Sequence, residues 1–352
     1  RGYLMVNFKE KIKTLDKNGM YHKIIHLPEQ IYKTYNEAIV QNLDKGRNYK
    51  KAKRIVICGM GGSAISGDLF KAVFYKDYPI EVVKDYEIPF IDEKTLVIAI
   101  SYSGNTAETL SVLKKAENQT SMIAAITSDG KLKNLVKERY PWVLLKKGYP
   151  PRAAIGMIFF SLLKLTEKLG LIKNQDLAAK RVTANLMHKA GALAESVDTD
   201  FNIAKQAAEQ IKNKIPLIYS SEPLFSPLAY RWKCQLNENA KYPAFNHSFS
   251  EMNHNEIEGW ENTDFHKTFI PIFLLRFNSK DHYNSRIEIF KRLLAKNNVE
   301  YMEFYSEGKS EIEEIFSLLY LGDMISYYLA IAVDVDPTTI DYIKYLKENL
   351  KH

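Results

Sequence analysis

The chain has 352 residues, 49 of them Lys or Arg against 42 Asp or Glu, for a formal net charge of +7. With 46% hydrophobic and 26% charged residues, 16 Gly and 12 Pro, the composition argues against a disordered, collagen-like or linker-dominated chain. Two domains are expected from the length, and the widely separated Cys58 and Cys234 fit a reducing cytoplasm better than a disulfide scaffold.

Residues 1–17 are amphipathic and mixed in charge, without the apolar core and cleavage site of a signal peptide. Of the two most apolar stretches, Ala153–Leu163 stops at Lys164, after about half of the ~20 residues that cross a bilayer. The other, Ile315–Val333, contains Gly322 and Asp323 and reads as a buried helix, so no membrane is expected as a partner. Basic residues are scattered without interleaved aromatics, which speaks against nucleic acid, although the charge helps to attract small anions. No Cys/His cluster has zinc-finger spacing, and neither a metal nor a cofactor is expected.

From residue 50 onward, short apolar runs alternate with helical stretches. Arg54–Cys58, Ile80–Lys84, Leu96–Ser101, Met122–Thr127 and Trp142–Lys146 are predicted strands, with helices over Thr106–Glu117 and Lys131–Glu138. Continuous apolar strands separated by helices indicate a doubly wound parallel sheet covered on both faces. Residues 156–200 read as mostly helical, closing in the polar run Ser196–Asn202. A less regular α/β pattern follows, with predicted strands Pro216–Ser220 and Phe269–Phe277 and helices Ser285–Lys296 and Glu311–Val333. An amphipathic helix over Thr339–Leu350 ends the chain. The expected domains are residues 1–155, with 1–50 as a helical lead-in, and 201–352, joined by 156–200.

Two loops carry chemistry. The first strand runs into Gly59-Met60-Gly61-Gly62-Ser63-Ala64, where glycines permit a tight turn and close approach of a ligand. The helix that follows offers unpaired N–H groups and the positive end of its dipole to a phosphate. Gly59-x-Gly61-x-x-Ala64 also fits a dinucleotide fingerprint, but the nearest acidic partner, Asp85, comes late and beside Lys84. The third strand ends in Ser101-Tyr102-Ser103-Gly104-Asn105-Thr106. There the hydroxyls of Ser101, Ser103 and Thr106 suit a phosphate monoester, with a plain N-cap at Thr106 as the alternative. Two such loops together favour a phosphorylated ligand.

The GMGGSAISGD and SYSGNTAETL segments resemble the sugar isomerase (SIS) fold, a phosphosugar-binding α/β module. Pro150-Pro151-Arg152-Ala153-Ala154, Asn237-Glu238-Asn239-Ala240-Lys241 and Ser250-Glu251-Met252-Asn253-His254-Asn255-Glu256 resemble the bifunctional phosphoglucose/phosphomannose isomerases. The resemblance implies two doubly wound, mainly parallel-sheet SIS-type domains in tandem, each a three-layer αβα sandwich. It further implies a cytoplasmic homodimer with sites near the subunit interface and a hexose phosphate as substrate. By position, Gly61, Gly62 and Ser63 match a sugar-contacting loop, and Ser101, Ser103 and Thr106 match a phosphate loop. Arg152 matches an arginine near the reacting carbons, Glu238 the catalytic base and His254 the ring-opening histidine. A lysine near the end of the chain is implied as well, with Lys347 best placed and Lys344 one turn away.

These residue types suit aldose–ketose isomerisation. A carboxylate such as Glu238 relays a proton between C2 and C1 through an enediol. A histidine exchanges protons near neutral pH, as ring opening requires, and Glu256 is the expected partner of His254, with His247 as the rival histidine. A cationic Arg152 stabilises the enediolate charge. The competing reading is a sugar-phosphate-sensing module, which needs the two loops but neither Glu238 nor His254.

Overall fold

A computed structural model of the chain describes residues 6–43, 47–220, 223–277 and 283–350. The chain divides into two bodies, one of residues 26–186 with 310–313, the other of 187–309 with the residues before 26 and after 313. The division falls inside the helix Asp176–Ala192, upstream of the polar run 196–202. It also splits the expected lead-in, because helices Phe8–Leu15 and Met20–Ile25 join the second body. Aromatic packing explains this: Phe8 meets Tyr328 edge-on at 5.4 Å, Tyr21 meets Tyr327 at 5.6 Å, and the Tyr320 hydroxyl donates to the Ile25 carbonyl at 3.0 Å.

The first body is built on six strands, β1 (Val40–Gln41), β2 (Arg54–Cys58), β3 (Ile80–Val83), β4 (Thr95–Ser101), β5 (Ile123–Thr127) and β6 (Trp142–Leu144). Their order is β1-β6-β5-β4-β2-β3, parallel throughout except for β1 at one edge. Every residue of β4 and β5 is buried, which is why these strands read as unbroken apolar runs. On one face, Val56, Cys58, Val97 and Ala99 pack with Val112, Leu113 and Ala116 of helix Ala107–Ala116 and with Leu132 and Val136 of helix Gly130–Val136. On the other lies helix Gly62–Phe74, so close that a Cβ on Gly67 would sit 2.9 Å from the Ile57 side chain.

The second body has four parallel strands, β7 (Ile215–Ser220), β8 (Phe245–Ser248), β9 (Phe269–Leu275) and β10 (Met302–Tyr305), ordered β10-β9-β7-β8. This is the winding of β5-β4-β2-β3 repeated. Tyr219, Phe273 and Leu275 face Ile287, Phe290 and Leu294 of helix Tyr283–Lys296. On the opposite face, Trp232 of helix Ser226–Ala240 packs on Phe304 at 5.4 Å, and its indole N–H donates to the Leu318 carbonyl at 3.0 Å. Leu318 belongs to helix Glu311–Ala332, which has the length and hydropathy of a membrane span but whose apolar window is wholly buried in the protein. Gly322 does not interrupt it. A Cβ there would come within 2.3 Å of the Trp232 ring, so the glycine is what lets the two helices touch.

Candidate active site

The phosphate-binding candidates meet at the switch point of the first sheet. Cys58 of β2 pairs in register with Ala99 of β4, yet the chain leaves these strands toward opposite edges, so their carboxyl ends flank a crevice. Gly61 adopts φ +52° on leaving β2, a conformation that costs glycine little. A Cβ on Gly59 would stand 2.9 Å from the Ile100 carbonyl, and one on Gly62 2.8 Å from the Pro151 carbonyl. Those two glycines let β4 and the turn Pro151–Ala154 close onto the first loop. Ser63, also buried, lies in the first turn of the helix that begins there.

The second loop is tied together by its own hydroxyls. The Ser101 and Thr106 hydroxyls lie 2.8 Å apart, Ser101 Oγ accepts the Gly104 N–H at 3.0 Å, and Ser103 Oγ accepts the Asn105 N–H at 3.3 Å. Thr106 stands at the N-cap position of helix Ala107–Ala116 without capping it, and Gly61 leaves helix Gly62–Phe74 equally uncapped by a side chain. A simple capping role for Thr106 therefore does not describe this loop. Two helix N-termini without side-chain caps, with hydroxyls beside them, form a candidate anion cradle. Gly104, at φ +71°, fixes its floor: a Cβ there would fall 1.6 Å from the Asp129 carbonyl. Asp129 is ion-paired with Lys147, whose hydrogen bond holds the carboxyl below the usual range.

Arg152 is buried in the turn that rests on Gly62, with its Cα 3.5 Å from that glycine's Cβ position. The first body thus brings Gly61, Gly62 and Ser63 together with Arg152, and sets Ser101, Ser103 and Thr106 on the adjacent strand. Gln30, absent from the sequence reading, clamps this turn: its amide donates to the Ala153 carbonyl at 3.1 Å and accepts the Met157 N–H at 3.0 Å. A signal was available, because Gln30 interrupts the buried stripe Leu27, Ile31, Tyr35 of helix Leu27–Glu37.

Glu238, His254 and Lys347 belong to the second body. Glu238 is half-buried near the end of helix Ser226–Ala240, four residues after Cys234, whose thiol is pushed up by burial and further by this carboxylate. The buried side of the same helix is locked to helix Glu311–Ala332. Arg231 donates to Asp323 at 2.6 Å, Gln235 to Asp323 at 3.0 Å, and Asn239 to Ser326 at 3.0 Å. Burial raises the Asp323 carboxyl and Arg231 opposes it. Such a ladder adds less net stability than register, fixing the rotation of the helix that presents Glu238.

His254 lies elsewhere on the second sheet. Helix Ser226–Ala240 starts beyond the carboxyl end of β7 and runs back, and Tyr242 just past its end donates to the Ile211 carbonyl before β7 at 3.3 Å. Glu238 is therefore at the amino end of this sheet. His254 follows β8, whose last residue, Ser248, pairs with Ser220, the last of β7, so it belongs to the carboxyl end. It is exposed, and Glu256 is not its partner. The Glu256 carboxylate instead binds His247 Nδ1 at 2.5 Å and accepts the Tyr219 hydroxyl, because parallel pairing sets Tyr219 beside His247. Lys344 and Lys347 both ride on helix Asp341–Asn349, exposed along its length.

Beyond β9, Arg276 is held by Glu314 through contacts of 2.8 and 3.0 Å, so its charge is already neutralised. Residues 221–222 and 278–282, in the loops after β7 and β9, lie outside the described residues.

A doubly wound sheet with candidate phosphate loops at its switch point is the pattern of an SIS-type protein, and the SIS-domain family matches residues 48–139. The family described as the bacterial phospho-glucose isomerase C-terminal SIS domain matches residues 200–350. Over 338 residues the chain is 39% identical to the bifunctional phosphoglucose/phosphomannose isomerase of Caldicellulosiruptor bescii, covering 94% of this chain and 98% of that one. With its counterpart from Aquifex aeolicus it shares 36% over 334 residues, or 92% and 99% of the two chains. The chain belongs to the bifunctional phosphoglucose/phosphomannose isomerase family. It is also 35% identical over 248 residues, 68% and 73% of the two chains, to a D-glucosamine-6-phosphate 4-epimerase of Sulfolobus acidocaldarius. In fold it resembles the C-terminal domain of glucosamine-fructose-6-phosphate aminotransferase from Francisella tularensis, with a TM-score of 0.70, 18% identity and coverage of 91% and 98%.

Proposed function

We propose that the protein interconverts glucose 6-phosphate and mannose 6-phosphate with fructose 6-phosphate through an enediol, as a cytoplasmic homodimer that needs no metal. The observation that carries this reading is the cradle at the first switch point, with Arg152 packed against it. Ser101, Ser103, Thr106 and the two helix N-termini hold the phosphate, and Gly61, Gly62 and Ser63 contact the sugar. His254 moves a proton between the ring oxygen and the C1 hydroxyl, opening the ring. Glu238 then takes the C2 proton and returns it to C1, while Arg152 stabilises the negative oxygen of the enediolate and Lys347 assists. Return of the proton to either face of C2 yields the glucose or the mannose epimer.

The positions of two residues support the dimer. Glu238 and His254 occupy opposite ends of the second sheet, so a site using both draws them from two copies. Replacing Glu238 by Gln is expected to lower both isomerisations by about 10²–10⁴-fold while fructose 6-phosphate still binds. Undiminished turnover would reject Glu238 as the base, and loss of activity on treatment with a chelator would reject metal independence. The relative named a 4-epimerase supplies a second reading, chemistry at C4 of an amino-sugar phosphate. Turnover of glucosamine 6-phosphate, with none of the hexose phosphates, would favour it.

A further inference from the structure

The turn that exposes His254 is fastened on both sides. Upstream, Phe249 and Met252 are buried in the core cluster of Tyr219, Phe273 and Phe290, Asn253 Nδ2 donates to the Phe249 carbonyl at 2.7 Å, and the His254 N–H donates to the Glu251 carbonyl at 3.0 Å. Downstream, the Glu256 side chain reaches back to the sheet and takes one hydrogen bond on each carboxylate oxygen, from Tyr219 and from His247. Tyr219 is buried and stacked on Phe273 with ring centroids 5.7 Å apart, so it gives the carboxylate a fixed point. Burial and the neighbouring Glu256 charge both raise the phenol's pKa, which keeps it a donor. His247, on edge strand β8, is the second donor.

We propose that Tyr219, His247 and Glu256 form a positioning anchor that holds His254 for ring opening, an inference resting on the role of His254 given above. None of the three touches the substrate in this account. They act by fixing both oxygens of one carboxylate, and through it the backbone two residues from the histidine. A displacement of about 1 Å in a proton-transferring group is enough to cost on the order of a hundredfold in rate. A cavity of about 390 Å³ opens beside His247 and Glu256, lined also by Leu217 and Phe245, and gives small molecules access to the anchor.

Ring opening is read separately from proton transfer by following exchange between the two anomers of glucose 6-phosphate by NMR, in a Glu238→Gln background. With the anchor intact, this protein is expected to accelerate exchange, and His254→Ala to abolish the acceleration. Adding Glu256→Gln or His247→Ala is expected to slow exchange at least tenfold, with the binding of fructose 6-phosphate and the melting temperature little changed. Imidazole, entering through the cavity, is expected to restore the His247→Ala protein but not the Glu256→Gln protein. Exchange at the undiminished rate in both anchor variants would overturn the proposal while leaving His254 in place. No acceleration with the anchor intact would instead overturn the role of His254, and the anchor's role with it.

Discussion

Ser101 and Thr106 show how a cradle is written into a short piece of chain. Their five-residue spacing across the end of β4 brings the hydroxyls within 2.8 Å, and because all the partners are local, the motif was legible before any fold was known. Thr106→Val and Ser101→Ala each remove a hydroxyl from the proposed phosphate loop. Each is expected to raise KM for fructose 6-phosphate about tenfold, the loss of a hydrogen bond to a charged group. An unchanged KM in steady-state assays would remove the loop from the site. Gly104→Ala puts a methyl against the Asp129 carbonyl at a positive φ, and is expected to cost about 3 kcal/mol or more in denaturant unfolding.

Asp129 sets a pH dependence at the same loop. Lys147 lowers its carboxyl below the ordinary value of 3.8, so the folded protein takes up this proton at lower pH than the unfolded chain does. The pair's contribution is present above that ordinary value and is lost as the pH falls through the lowered one. Both groups are largely exposed, so the contribution is small. Asp129→Asn is expected to lower the melting temperature slightly at pH 6 and not at all in strong acid. A deficit independent of pH would contradict this account. The contact between Glu256 and His247 was not legible in the sequence. Adjacency in the motif pointed to His254, whereas the parallel pairing of β7 with β8 decides the matter.

Long apolar elements were read correctly in kind because burial on both faces leaves an unmistakable run, as in β4 and β5. β1, β8 and β10 escaped the reading. They are edge strands of two to four residues, partly exposed, with sequences such as Phe245-Asn246-His247-Ser248 that carry no apolar alternation. Gln30 belongs to this scale too, since it joins helix Leu27–Glu37 to the turn of Arg152. Gln30→Leu leaves the Ala153 carbonyl and the Met157 N–H without their partner, at about 1–3 kcal/mol each. The expected outcome is a fall in kcat larger than the change in KM, because Arg152 is displaced while the phosphate loops are not. Equal kcat in the variant would show that the clamp serves stability alone.

Two sheets are wound alike, with no repetition evident in the sequence; the candidate phosphate loops belong to the first, and Glu238 and His254, the proposed base and ring-opening histidine, belong to the second. Because hydrophobic burial fixes topology while tolerating many apolar sequences, the winding survives where motif identity does not. Among the described residues beyond β9, Arg276 is paired with Glu314. Mixing inactive Glu238→Gln and His254→Ala proteins tests the two-copy site. Hybrid dimers carry one intact site, so about a quarter of the undivided activity should return after subunit exchange. No recovery, with hybrids shown to form, would place both residues in one chain's site.

The central claim is that Glu238 carries a hydrogen between two adjacent carbons of a sugar whose phosphate lies in the first body. Incubation of fructose 6-phosphate in deuterated water, with mass spectrometry of the recovered sugar, tests it most directly. Deuterium is predicted at C1 of the ketose and C2 of the aldoses with the native protein, and at neither position with Glu238→Gln. Label appearing at the same rate in that variant, or no label with the native protein, would contradict the account.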